Sequence, residues 1–187
     1  MKSLFRLAVV ISCGLLIGAA TAGASTLIGS TVTGTLYVPN LSTILGGPTT
    51  ATVGASTPTF PNGSIVGNTA FQINITSDQI VYEPFANVTY GIEVFNGFVF
   101  DFTDAPTILG VTLDAASTFV PTALSFTADS VSLNLSGNNV NTNSLAILDV
   151  QLQASATPEP ATWTLLVSSF GLVGIAWMGR KYLSPNH

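Results

Sequence analysis

The sequence predicts an all-β body, an antiparallel β-sandwich of the jelly-roll or immunoglobulin-like kind. A signal-peptide helix precedes it and a single transmembrane helix follows. Three observations point there. Short segments alternate apolar and polar residues with period two, as strands buried on one face do. Gly, Asn and Pro separate these segments as turn formers. The long uninterrupted apolar runs of the 187 residues sit only near the two ends.

Taken in order, the chain opens with Lys2 and Arg6, continues through the apolar run LAVVISCGLLIG, and reaches the small triplet Ala22-Gly23-Ala24. A basic start, an apolar core and small residues are the three zones of a secretory signal. Residues 1–24 are therefore read as a signal peptide recognised at Ala22 and Ala24, which implies the Sec export machinery as a partner. The body spans 25–157. Within it, TVTGTLYV at 31–38 alternates cleanly, with Val32, Gly34, Leu36 and Val38 on one side. Residues 39–63, rich in Thr, Pro and Gly without alternation, read as a long loop.

Alternation returns at 71–76 (FQINIT), 131–136 (VSLNLS) and 148–153 (LDVQLQ), with shorter strand candidates at 79–83, 108–113 and 122–128. The segment 91–102 (GIEVFNGFVFDF) carries Asn96-Gly97 between two apolar stretches. That dipeptide suits a type I′ hairpin turn; a single long strand bulged at Gly97 is the competing reading. In either case the phenylalanines mark the centre of the core. GNNVNTNS at 137–144 reads as a polar turn. Eight or nine strands in about 130 residues suit a sandwich.

From Ala161 to Met178 no residue carries a formal charge. Eighteen helical residues rise roughly 27 Å, enough for a thin bilayer core. Trp163 and Trp177 lie near its ends, and Arg180-Lys181 follow it. Interfacial tryptophans and the positive-inside tendency orient the span with its basic end in the cytoplasm and the body exported.

Composition narrows the chemistry. Every Lys, Arg, His and Cys of the chain falls in the terminal segments, so the body holds eight carboxylates and no cation or thiol. Nothing there neutralises phosphates, which argues against nucleic acid as a partner. A triad, a cysteine nucleophile, a Schiff base and ordinary zinc ligation all lack their residues. Carboxylates remain. Asp101 and Asp104 stand three apart, and Asp114 could approach them, so these three are candidate oxygen ligands for calcium. Five Asn-x-Ser/Thr sequons begin at Asn40, Asn62, Asn74, Asn87 and Asn134. No enzymatic activity and no cofactor are expected.

Pro158-Glu159-Pro160, the apolar span and Arg180-Lys181 together resemble the PEP-CTERM sorting signal. The six residues after Lys181 make a slightly longer tail than that pattern usually has. The resemblance covers the last thirty residues (158–187). It implies a Gram-negative source, transient anchoring in the inner membrane, and processing by the membrane enzyme exosortase. The prolines suit that role, because they keep the tripeptide extended and outside the helix. The expected function is thus a non-enzymatic surface or extracellular-matrix protein, associated with biofilm exopolysaccharide. The alternatives are a carbohydrate- or calcium-binding sandwich, an ordinary single-pass membrane-anchored protein, and an acid-based hydrolase. Tyr37, Tyr82 and Tyr90 grouped on an exposed face would favour sugar binding; in the core they would not.

Overall fold

The computed structural model describes residues 24–67 and 70–154. Among these the alternating segments become strands. They are β1 (Thr31–Tyr37), β2 (Ile44–Thr52), β3 (Phe71–Ile75), β4 (Gln79–Pro84), β5 (Val88–Thr89) and β6 (Gly97–Thr103). After them come β7 (Ile108–Leu113), β8 (Ala123–Phe126), β9 (Ser130–Asn134), β10 (Asn139–Val140) and β11 (Ala146–Leu152). They form a five-stranded sheet in the order β2-β1-β6-β9-β8 and a four-stranded sheet in the order β3-β4-β11-β7, with a two-stranded ribbon of β5 and β10. All pairings between these strands are antiparallel. The arrangement is a β-sandwich.

The period-two pattern explains which side of each strand is dry. Val32 and Leu36 of β1, Phe98, Phe100 and Phe102 of β6, and Val131 and Leu133 of β9 are buried. The four-stranded sheet answers with Phe71, Ile73 and Ile75 of β3, Ile80 and Tyr82 of β4, and Leu148 and Val150 of β11. Phe98 sits where the two inner faces meet. Its ring centroid lies 4.8 Å from that of Phe71, edge-on, and 5.8 Å from that of Tyr82. Such pairs add about 0.5–1.5 kcal/mol each beyond the area they bury. The phenylalanine-rich stretch is indeed the centre of the core.

Two expectations need correction. Residues 39–63 are not a long loop throughout, because β2 runs through them and pairs with β1. The sequence does not mark that strand, because most of its residues, on both sides, are exposed and it carries no buried stripe. Pro48 in its middle suits an edge strand, since it removes a donor that another chain could pair with. Beyond β2 the segment turns inward. Phe60 is buried and exchanges two backbone hydrogen bonds with Ile73, 2.8 and 3.0 Å, so it covers the edge at β3.

The second correction concerns Asn96-Gly97, which forms no hairpin turn. Gly97 is the first residue of β6 and pairs with Tyr37 on one side and Asn134 on the other. The glycine serves a close approach here: a Cβ at this position would stand 2.0 Å from the Leu133 carbonyl oxygen. Residues 91–96 lie outside the strands, so the bulged long strand is not formed either. The short strands β5 and β10 were not expected from the sequence. The signal segment 1–23 and the span 161–178 lie outside the described residues. Among the described residues no helix is long and apolar enough to cross a membrane.

Candidate functional site

Strand register decides which side chains share the outer face of the five-stranded sheet, since directly opposed residues point the same way. One row reads Thr52, Thr31, Thr103 across β2, β1 and β6. The next reads Thr50, Thr33, Asp101, Ser130 from β2 to β9. A third reads Thr35, Val99, Ser132, Ser125 from β1 to β8. These rows are mostly hydroxyls, with Val99 among them and Asp101 as their carboxylate. Thr35 and Ser130 are buried within them, while Thr50, Thr52, Thr103 and Ser125 are exposed. Thr33 and Thr50 hydroxyls bond to each other at 3.1 Å.

The outer face of the four-stranded sheet differs. Gln72 opposes Glu83 and donates to its Oε2 at 2.6 Å; Gln79 opposes Asp149 and donates to its Oδ1 at 2.8 Å. Carboxamide–carboxylate pairs dominate there, and their polar groups are largely committed to one another.

The three carboxylates proposed as calcium ligands stand apart in role. Asp101 lies on the hydroxyl face. Partial burial first, and neighbouring Asp129 second, hold its carboxyl above the usual carboxylate range. Asp104 follows β6 with a φ of 60° and shapes the turn there. Asp114 accepts from the Ala116 amide at 2.6 Å through Oδ1, an Asx turn after β7. Among the described residues no group of three or more His, Cys, Asp or Glu side chains could hold a metal ion. Asp101, Asp104 and Asp114 are therefore not gathered into a site.

The tyrosines divide. Tyr82 and Tyr90 are buried in the core with their hydroxyls 2.8 Å apart. Burial pushes Tyr82 up to about 12, and burial together with the Tyr82 neighbour pushes Tyr90 higher still. Tyr37 is half-buried on β1. Among the described residues, then, the tyrosines form no exposed platform for sugar stacking.

Two hollows lie on the surface of the described residues. A cavity of about 230 Å³, lined mainly by Leu36, Val38, Leu45, Val66, Phe71 and Tyr90, is apolar except for groups such as Asn96. A groove of about 240 Å³ along β5 and β10 is lined by Asn87, Thr89, Asn139 and Asn141 among others, with Thr89 donating to Asn139 Oδ1 at 2.8 Å. Of the sequon asparagines, Asn134 is buried; its Oδ1 accepts from the Asn96 and Ser136 amides. Asn62 and Asn87 are exposed.

Pro158, Glu159, Pro160, Arg180, Lys181 and Ala22 lie outside the described residues, and Ala24 is the first of those described. The hydroxyl rows do not show in the sequence, because their outermost strand, β2, lacks the alternation that marks a strand. Threonines at 31, 33 and 35, with Thr50 and Thr52 later, were the available signal. Comparison with protein families, with curated proteins and with solved structures finds no match for the chain.

Proposed function

We propose that the chain is an exported, non-enzymatic protein of the cell surface or extracellular matrix, delivered through its C-terminal segment. The observation that carries the proposal is the order of three features in that segment: Pro158-Glu159-Pro160, the uncharged span 161–178, and Arg180-Lys181. In this reading the Sec machinery exports the body after the signal helix within 1–24 directs it. The span then anchors it in the inner membrane, and exosortase processes it near the tripeptide. The mature protein is the sandwich, of jelly-roll or immunoglobulin-like kind, free at the surface or in the matrix.

The body's composition supports this reading, because eight carboxylates without a Lys, Arg, His or Cys leave little for acid–base or nucleophilic chemistry. Its outer hydroxyl rows favour a neutral, hydroxyl-rich neighbour such as exopolysaccharide, which exchanges hydrogen bonds without needing charge. Buried Tyr82 and Tyr90 weigh against stacking-based sugar recognition, and the separated Asp101, Asp104 and Asp114 weigh against calcium.

The test is intact mass with C-terminal peptide sequencing of protein recovered from envelope and medium. A chain ending at or near Pro158-Glu159-Pro160 is expected. If all the protein retains Arg180-Lys181, the sorting proposal fails and the chain is an ordinary single-pass anchored protein.

A further inference from the structure

The body contains the dipeptide Asn-Gly twice, at Asn62-Gly63 and Asn96-Gly97, and places the two in opposite surroundings. Asn-Gly is the sequence most open to intramolecular attack, since glycine puts no side chain in the way of the following amide. The chemistry needs an exposed carboxamide and a backbone amide free to swing toward it.

Asn62 and Gly63 form the centre of a turn closed by Ser64 N–H donating to the Pro61 carbonyl at 3.0 Å. Gly63 has a φ of +82°, which the third position of a type II turn requires. Asn62 is exposed, and among the described residues neither its carboxamide nor the Gly63 amide makes a hydrogen bond. Asn96 is 7% exposed. Its Nδ2 donates to the Gly91 carbonyl at 3.2 Å, its own amide donates to Asn134 Oδ1 at 3.1 Å, and its carbonyl accepts from Leu135 N–H at 2.9 Å. Gly97 is clamped between β1 and β9.

We infer that Asn62 is a built-in site of spontaneous deamidation and that the fold protects Asn96 from the same reaction. Hydroxide removes the Gly63 amide proton, and the nitrogen attacks Asn62 Cγ. The Cγ–N bond breaks, ammonia leaves, and a five-membered imide forms. Water then opens the ring at either carbonyl to give aspartate or isoaspartate, so the net change is loss of ammonia for water with no oxidant or reductant. The isoaspartate product carries an extra methylene in the main chain at the turn. Ser64, at the turn's end, accepts from Thr49 Oγ1 at 2.8 Å, so the lengthened turn loosens the hold on edge strand β2. Because the reaction is one-way, the converted fraction at position 62 rises with the age of the chain.

The test incubates the protein produced from the full chain at mildly alkaline pH and maps peptides by mass over time. Isoaspartate and aspartate are expected at position 62 while position 96 stays asparagine, slower by at least about tenfold because its reaction requires local opening. In denaturant the two sites are expected to convert at similar rates, which assigns the difference to the fold. Asn62→Gln should abolish the acidic species formed by the folded protein. Conversion at 96 as fast as at 62 in the folded protein, or a folded Asn62 that does not convert while the denatured one does, would overturn the inference.

Discussion

On the outer face of the four-stranded sheet, Gln72 and Gln79 are bonded to Glu83 and Asp149; on that of the five-stranded sheet, rows of Thr and Ser stand beside a single Asp101. Both faces arise from the same alternation over one shared core. A carboxamide facing a carboxylate satisfies donor and acceptor within the sheet, which stabilises the sheet and leaves less to offer a partner. A hydroxyl both donates and accepts and rotates freely, so a hydroxyl row keeps capacity for whatever lies against it. The difference teaches that polar content alone does not mark a contact surface; what matters is how much of it is already paired.

The strongest way to break the comparison is to remove the core both faces share. Phe98→Ala should cost about 3–5 kcal/mol, read as a lowered denaturant midpoint, and both faces should be lost in one transition. Next in size is the tyrosine pair. Tyr82→Phe leaves the buried Tyr90 hydroxyl without its partner and should cost about 1–3 kcal/mol, with the double change to Phe costing less than the sum. Both phenols ionise at higher pH in the folded state than in the unfolded chain. The stability they contribute is therefore whole below pH 10.0 and is lost as pH rises from there toward about 12. Denaturation midpoints across that window should fall in the wild type and fall less in the double variant.

The faces themselves supply the smaller effects. Gln79→Ala should destabilise by about 0.5–1.5 kcal/mol, whereas Thr103→Val, whose exposed hydroxyl has no partner among the described residues, should stay within about 0.5 kcal/mol. An equal cost for the two would contradict the distinction drawn between paired and unpaired polar groups. Smallest is Asp101→Asn. Its carboxyl is held above the ordinary range, so ionising it opposes folding, and the wild type gains from protonation as pH falls. The variant should be more stable at neutral pH by no more than about 0.5 kcal/mol, given the exposed position. The gain should vanish in acid.

Much of this fold was legible in the sequence because burial on one face writes itself as alternation. Val32 and Leu36, Ile73 and Ile75, and Leu148 and Val150 recur at every second position and became the inner faces of β1, β3 and β11. β2 was not legible, since a strand exposed on both sides has no such stripe. Asn96-Gly97 misled for another reason: the same glycine answers a positive φ or a close backbone approach, and only the position of Leu133 says which. The carboxylates at 101, 104 and 114 could not be grouped or separated from spacing alone, because their proximity depends on pairings distant in the chain. The face that Asp101 belongs to depends on β2 as well.

Ser25 Oγ donates to the Gln153 carbonyl, so the first and last residues of the sandwich meet at one place. Joining those ends with a short linker and opening the chain at the exposed turn near Asn141 should give a circular permutant with the same strand neighbours. By register, the 91–96 segment enters β6 beside Tyr37, at the end of β1 farther along the chain from Ser25, so the joined ends and this segment belong to different ends of that strand.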